Sequence, residues 1–567
     1  MPAVAYERVH RRSSYATLRF VPVTAAGVDH DPGWLPLVPI AMVMFIIALD
    51  TTMLNVAIPD IVRDLDTTTS SVQSAVALYS LVMAALMVGA GRLGDIIGTK
   101  RLYSIALVVF GAGTLTATVA PNVTVLIFGW SFLEGIGAAA LIPISIAMIS
   151  INYSGAQRAV AFGIVGGFQA VAAATGPIVG GFLATNLSWR VAFGFEAGVV
   201  IVVIVLLRYV VGAPARPEQR LDWVGAGLWA CGLATIVLGV LLAGYYGWWN
   251  ARRPLMVASF DITPWGFSPT PVLVLSGMLV LVGFVHWTQR SVARTRSPLF
   301  SFGTFADANY RAGITTDALE SLLIAGLLFV IPVFLQSGRG YTALEAGIAL
   351  LPFSVAILVA ALGLPRVGEI VSPKQMIQGG ALSIGVGLVW YRSVSGGSFT
   401  RVDLIGPLAV VGLGIGALLS QVANVTLSGV ADEERGSATG VYNTGKELGT
   451  SLGTAIIGSA MLASFFSFSV ATSASEIGRE LTAAESRTVA IELEDAQQRL
   501  DDVQLVALIQ TEIPQLSVDD INRITDDSWT RANRRALETT IVVAVLTLAA
   551  STFIREERRT RPRPAVG

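Results

Sequence analysis

The chain has 567 residues, 53% of them hydrophobic and only 14% charged, with a mean hydropathy of +0.66 and a formal net charge of −1. Soluble domains carry about 25% charged residues, so this balance excludes an ordinary soluble protein and leaves a polytopic membrane protein. The single cysteine, Cys231, excludes an intrachain disulfide framework and a cysteine metal site, and no basic stretch interleaved with aromatics points to nucleic acid.

Residues 1–36 read as a polar tail with Arg8, Arg11, Arg12 and Arg19 and without the apolar run of a secretory signal, so the first span is expected to act as its own insertion signal. An apolar helix of about 20 residues crosses hydrocarbon about 30 Å thick. Such runs fall near 37–58, 72–90, 102–120, 122–150, 160–184, 190–209, 222–243, 270–288, 313–336, 344–365, 376–394, 403–428, 437–465 and 536–554, which predicts an all-α polytopic protein with fourteen transmembrane helices. The pair within 210–290 is bounded by charged or proline-rich segments and reads as an insertion between two six-helix bundles, 37–209 and 291–554.

Orientation follows from basic residues in short loops. Loops on the side of the N-terminus hold Arg92, Lys100, Arg101, Arg158, Arg208, Arg216, Arg220, Arg290, Arg294, Arg296, Arg311, Arg366, Lys374 and Arg435. The opposite loops hold half as many: Arg63, Arg190, Arg252, Arg253, Arg339, Arg392 and Arg401. Both termini, including the basic tail 555–567, are therefore expected in the cytoplasm.

Between the last two spans, residues 467–535 are too polar to cross a bilayer. From Glu476 to Asp527 they hold thirteen acids against four arginines. Val489, Leu493, Ala496, Leu500, Val503 and Ala507 recur at helical spacing, which predicts an acidic helical hairpin outside the membrane. It reads either as a solvated spacer or as a docking surface for an extracytoplasmic partner.

Several acids fall inside predicted spans, where ionisable groups face a bundle interior or a watery cavity. Asp50 interrupts the run Pro39–Pro59, and is either a proton or cation site or a carboxylate that caps or pairs with a neighbour. Glu134 reads as a second protonatable group or as a permanently protonated structural one, and shares a helical face with Ser131. Glu196 pairs with Arg190 or faces substrate. Asp317 reads as solvated near the inner surface, which leaves Glu320 as the better candidate. No phosphate-binding GxxxxGK[ST] loop and no nucleophile, base and orienter set are present, so neither ATP-driven transport nor an enzyme is expected, and no cofactor or metal.

Three stretches carry a family resemblance. Gly91-Arg92-Leu93-Gly94-Asp95-Ile96-Ile97-Gly98-Thr99-Lys100-Arg101 reads on its own as a cytoplasmic latch between bundles or as a positive-inside anchor. It resembles the loop signature of the major facilitator superfamily, with a degenerate copy at Leu364–Glu369. Leu49–Pro59 resembles the first-span signature of the fourteen-span drug:proton antiporters, the EmrB/QacA-like branch, with Asp50, Thr52, Asn55, Ala57 and Pro59 matching. Gly163 and Ala172–Gly181 are similar to the antiporter signature of the fifth span, whose Gly176, Pro177, Gly180 and Gly181 read as a hinge or as a packing face. The fourth span departs from the family: Ser131-Phe132-Leu133-Glu134-Gly135 stands where an Arg-x-x-Gln-Gly is usual. In the thirteenth span Lys446 and Glu447 replace the usual Arg and Gln, as a gate or as a snorkelling lysine.

The resemblance implies two six-helix bundles around a central cavity, plus two inserted helices, in a bacterial cytoplasmic membrane. It implies a proton-coupled multidrug efflux transporter, with protons, a lipophilic and cationic small molecule and the bilayer as partners, and Asp50, Asn55, Glu134, Glu196 and Glu320 as site residues. Two alternatives are export of an endogenous lipid, siderophore or metabolite, and a non-transporting scaffold that uses the outer hairpin.

Overall fold

A computed structural model describes residues 33–216, 221–253, 255–257, 260–261, 263, 266–293, 302–364, 371–396, 399–430, 435–478, 480–497 and 515–555. The helices are α1 (Leu37–Asp64), α2 (Thr69–Ile97), α3 (Thr99–Thr118), α4 (Val123–Asn152), α5 (Gly155–Asn186), α6 (Arg190–Tyr209), α7 (Trp223–Tyr246) and α8 (Pro269–Ala293). The second part of the chain adds α9 (Ala308–Arg339), α10 (Ala343–Gly363), α11 (Pro373–Val394), α12 (Arg401–Ser428), α13 (Ala438–Glu476), α14 (Ala483–Gln497) and α15 (Val518–Thr552). Between α7 and α8 lies a minimal antiparallel pair, β1 (Met256–Val257) and β2 (Phe260–Asp261).

Thirteen of these helices are long and apolar enough to cross a membrane. The helix over the remaining predicted span, α11, has spanning length but is less apolar. It packs on α12 and α15 through Met376, Ile377, Gly380, Ala381, Ile384, Gly387, Leu388 and Tyr391, while Gln375, Arg392 and Ser393 near its ends are exposed.

The greatest departure from the hydropathy pattern lies at the last two spans. Helix α13 runs on to Glu476 and α15 begins at Val518, lengths of about 58 and 52 Å against about 30 Å of hydrocarbon. Backbone hydrogen bonding does not stop at the bilayer edge, and a Ser517–Asp520 capping box starts α15 well before its apolar part. The ends of the polar insertion are thus extensions of two spans, joined by Phe465 stacked on Trp529 at 4.2 Å and by Ile477 packed on Leu516, Ile521 and Ile524. Helix α14 lies over them. Its Val489 is 41% exposed while Ala490 is buried, so the inward face is one residue off the expected stripe. Leu493 is half-buried, and Leu500, Val503, Ala507 and the side chain of Ala496 lie outside the described residues.

Small residues set the distances between helices. In the pair α7 and α8, Cβ atoms placed at Gly232, Gly239 or Gly277 would strike Leu281, Leu273 or Ile236 within 3.0 Å. The pair packs on α2. Helices α1 and α5 meet where a Cβ on Gly176 would lie 1.9 Å from Thr52 Oγ1 and one on Gly180 2.1 Å from Met53 O. The signature glycines of α5 therefore form a packing face against α1.

The same helix makes a seam with α10. A Cβ on Gly181 would sit 2.5 Å from Ala343 O and one on Gly347 2.2 Å from Pro177 O, and Leu344 N donates to Thr185 Oγ1 at 3.0 Å. Two more bonds join the halves near the same end, which also carries α14. Gln336 Nε2 donates to Val56 O at 2.7 Å, and Gln73 Nε2 to Thr454 O at 2.7 Å. Toward the end that holds both termini, Gly163, Gly166 and Gly167 of α5 meet nothing within 4 Å. Along this seam the halves touch at the α14 end, and these three glycines toward the other end border open space.

If that seam depends on the absence of a side chain, Gly347→Leu should prevent it from closing. In a Cys231→Ser background, a Thr185→Cys/Leu344→Cys pair should cross-link readily, and Gly347→Leu should reduce the yield severalfold. Unchanged cross-linking would show that the glycine is not needed for closure.

Candidate functional site

Helix α1 brings Asp50 to the middle of the first half, fully buried. Beside it stand Glu134 of α4 and Glu196 of α6, also fully buried, and one carboxyl oxygen of each lies within 4.8 Å of the others. Asp50 Oδ1 and both oxygens of Glu134 and of Glu196 have no hydrogen-bond partner among the described residues. Three carboxyls at this spacing, without a cation beside them, repel when ionised, so they hold protons or a cation between them. Theirs is the one acidic group among the described residues with the spacing to ligate a metal ion.

The convergence depends on a local feature of α4. Residues Ile127–Glu134 form a π-helical turn, which widens the helix by one residue per turn and ends on Glu134. Ser131 and Glu134 therefore part company instead of sharing a face: Ser131 Oγ donates to Ala75 O at 2.8 Å, while Glu134 turns to Asp50. Gly113 of α3 lets the wide turn fit, since a Cβ there would lie 2.6 Å from Glu134 N. Trp130 belongs to the same turn. Its Nε1 donates to Asp50 Oδ2 at 3.2 Å, and its ring stacks on Tyr79 and meets Phe193 edge-on.

Geometry separates two nearby side chains from the triad. Arg190 does not reach Glu196; it pairs with Asp64, donates to Ala120 O at 2.8 Å and lies over the Trp189 ring. Asn55 does not reach Asp50; its amide bonds Thr51 O at 2.5 Å within its own helix.

A second acidic group lies between α9 and α13. Asp317, expected near solvent, is only 3% exposed, because α13 covers it and Tyr442 Oη donates to its Oδ1 at 2.5 Å. Glu320 is 1% exposed and unpartnered. Lys446 attracts Asp317, Glu320 and Glu447 without a direct ion pair to any. Unlike the first group, this one has a cation of its own. Lys446 is itself half-buried.

The Gly91–Arg101 loop turns at Gly98, whose φ is +94°. Arg216 N donates to Asp95 O and Ala213 N to Thr99 Oγ1, while Arg92 and Arg216 attract Asp95. These contacts tie the loop to residues 211–216 of the first half. The related segment 365–369 lies outside the described residues.

Trp130, Tyr442 and Gln73 were not singled out from sequence. Trp130 sits in an apolar span four residues before Glu134, a signal that could have found it, whereas Gln73 and Tyr442 lie in polar stretches that mark neither. Gln73 Nε2 meets Thr454 O, Ala455 O and Ser459 Oγ, at a second π turn, Thr454–Gly458.

The profile of the Major Facilitator Superfamily matches residues 40–454. A protein named as a probable actinorhodin transporter in Streptomyces coelicolor is 30% identical over 78% of this chain and 75% of its own. Multidrug resistance protein Stp of Mycobacterium tuberculosis is 29% identical over 76% of each chain. Among solved structures, a bacterial homologue of the human lysosomal transporter Spinster, in an inward-facing and unoccupied conformation, superposes with a TM-score of 0.60 at 13% identity, covering 93% of this chain and 98% of that one; it shows the fold. A profile match over most of the chain, and a relative 30% identical along three quarters of its length, make this multi-pass membrane protein a member of the major facilitator superfamily.

Proposed function

We propose that the protein exports lipophilic cations in exchange for protons, with Asp50, Glu134 and Glu196 as the shared binding site. The observation that carries this reading is the buried carboxyl triad without a basic partner. Relatives named for multidrug resistance and efflux support the direction of transport. In this reading the basic loops keep both termini in the cytoplasm, and the end of the α5–α10 seam where the glycines border open space faces inward.

The cycle follows from charge. An incoming cation takes the place of protons among the three carboxyls and offsets the charge their loss uncovers, so the loaded site passes the low-dielectric closed state with one net negative charge when two protons leave. After the seam opens outward, protons displace the cation and the neutral site returns. Each pH unit of gradient contributes about 1.4 kcal/mol per proton, and each net charge moved down 100 mV about 2.3 kcal/mol. Two protons per monovalent cation draw on both. The Asp317, Glu320 and Lys446 group, already compensated, tunes the field in the second half, and Lys446 with Glu447 gates it. The glycines of α5 act as a hinge as well as a packing face. Chemistry on the substrate is not part of this cycle, so the protein is a carrier and no enzyme. The acidic extension over 467–535 supplies the outer surface for any extracytoplasmic partner.

In proteoliposomes under a pH gradient, adding ethidium should release protons from wild type, and Asp50→Asn should abolish that flux while still inserting. Wild-type flux retained in Asp50→Asn would sink the assignment. Glu134→Gln should weaken binding of cations by roughly tenfold, about 1.4 kcal/mol, and leave uncharged compounds unaffected. Equal losses for charged and uncharged compounds would point to packing damage instead.

A further inference from the structure

A cavity of about 1000 Å³ opens at the terminus-bearing end of the second bundle, between the starts of α9 and α11 and the end of α15. Its wall carries three cations, Arg311, Lys374 and Arg555, with Thr315, Gln375 and Gln378 between them, and among the described residues no acidic one. The first turns of α9 and α11 both contribute; the α9 end is capped by the Asp307 carboxylate, so the partial positive charge comes from α11, whose cap is the neutral Ser372 hydroxyl. Beside this polar wall Phe553 is 73% exposed. Cationic groups, a helix N-terminus and an apolar flank thus meet at the level where these spans leave the membrane.

We infer that this cavity binds the phosphodiester headgroup of an anionic phospholipid, with Phe553 against its acyl chain. Basic pockets between helices on one side of a membrane suit such headgroups. A free phosphate would use the cations but not the apolar flank. The walls are tied together independently of any ligand: Lys374 Nζ donates to Thr552 O at 3.1 Å, Arg555 N donates to Asn309 Oδ1 at 2.7 Å, and Asn309 Nδ2 returns a bond to Arg555 O at 3.2 Å. Arg311 donates to Phe305 O and Ala306 O, which anchors it at the rim. All three helices belong to the second half, so the site persists whichever way the halves tilt. A ligand bound equally in both states shifts neither, and the lipid therefore stabilises the bundle without selecting a transport state.

The test uses the full-length purified protein and native mass spectrometry, with thermal unfolding in parallel. Phosphatidylglycerol should be retained and should raise the unfolding temperature, whereas phosphatidylcholine or inorganic phosphate should do neither. Arg555 meets Asn309 through its backbone, so Arg555→Gln should fold. It should weaken retention about fivefold, and the Arg311→Gln/Arg555→Gln pair about thirtyfold. The unfolding temperature of Arg555→Gln without lipid should match wild type; the pair also loses the Arg311 bonds to Phe305 O and Ala306 O, so it is read from the ratio of phosphatidylglycerol to phosphatidylcholine retained. Equal retention of phosphatidylcholine, equal stabilisation by inorganic phosphate, or undiminished phosphatidylglycerol retention in the variants would each overturn the site.

Discussion

The structure depends on holding carboxyl groups in a medium that solvates charge poorly. Placing one charge at the centre of a bilayer costs roughly 2.5 to 3.5 kcal/mol on insertion scales, and a second or third nearby adds repulsion. Two solutions occur in one chain. In the second half Lys446 and the Tyr442 hydroxyl face Asp317 and its neighbours. In the first half Asp50, Glu134 and Glu196 meet without a cation, and one indole N–H is the hydrogen bond the triad receives. The halves resemble each other in fold but not in charge compensation. An uncompensated group has the stronger demand for something mobile, a proton or a cation.

Helix irregularity makes this arrangement. A π turn leaves backbone carbonyls without their usual partner, and such groups are costly in hydrocarbon unless protein supplies a donor. At Thr454–Gly458 the donor is the Gln73 amide, which reaches across from the other half, and Gly458 leaves room for it. At Ile127–Glu134 the extra width aims Trp130 and Glu134 at Asp50. Glycines serve the same geometry elsewhere. Those at 176, 180, 181 and 347 admit a neighbouring backbone that any side chain would exclude, while Gly163 and Gly166 border open space.

Much of this was legible in the chain itself. Runs of some 20 apolar residues dictate spans because lipid offers no hydrogen bonds, so helices stand where the hydropathy pattern requires them. Hydropathy is blind where a helix continues into water, and so the extensions of α13 and α15 were read as a separate insertion. Acids in apolar runs were equally visible, since nothing else in such runs carries charge. Their partners were not. Spacing of 3.6 residues per turn put Ser131 with Glu134, and the π turn undid it; position in the span put Asp317 near solvent, and α13 covered it.

Sequence alone determined the membrane class, the positions of the spans and the identity of the buried acids, because each follows from local transfer free energy. Tertiary structure decided which acids share a site, which of them has a cation, and at which end of the seam the halves touch. Those outcomes depend on helix register and on contacts between residues more than a hundred positions apart, such as Gln73 with Thr454 and Tyr442 with Asp317, which no local pattern encodes.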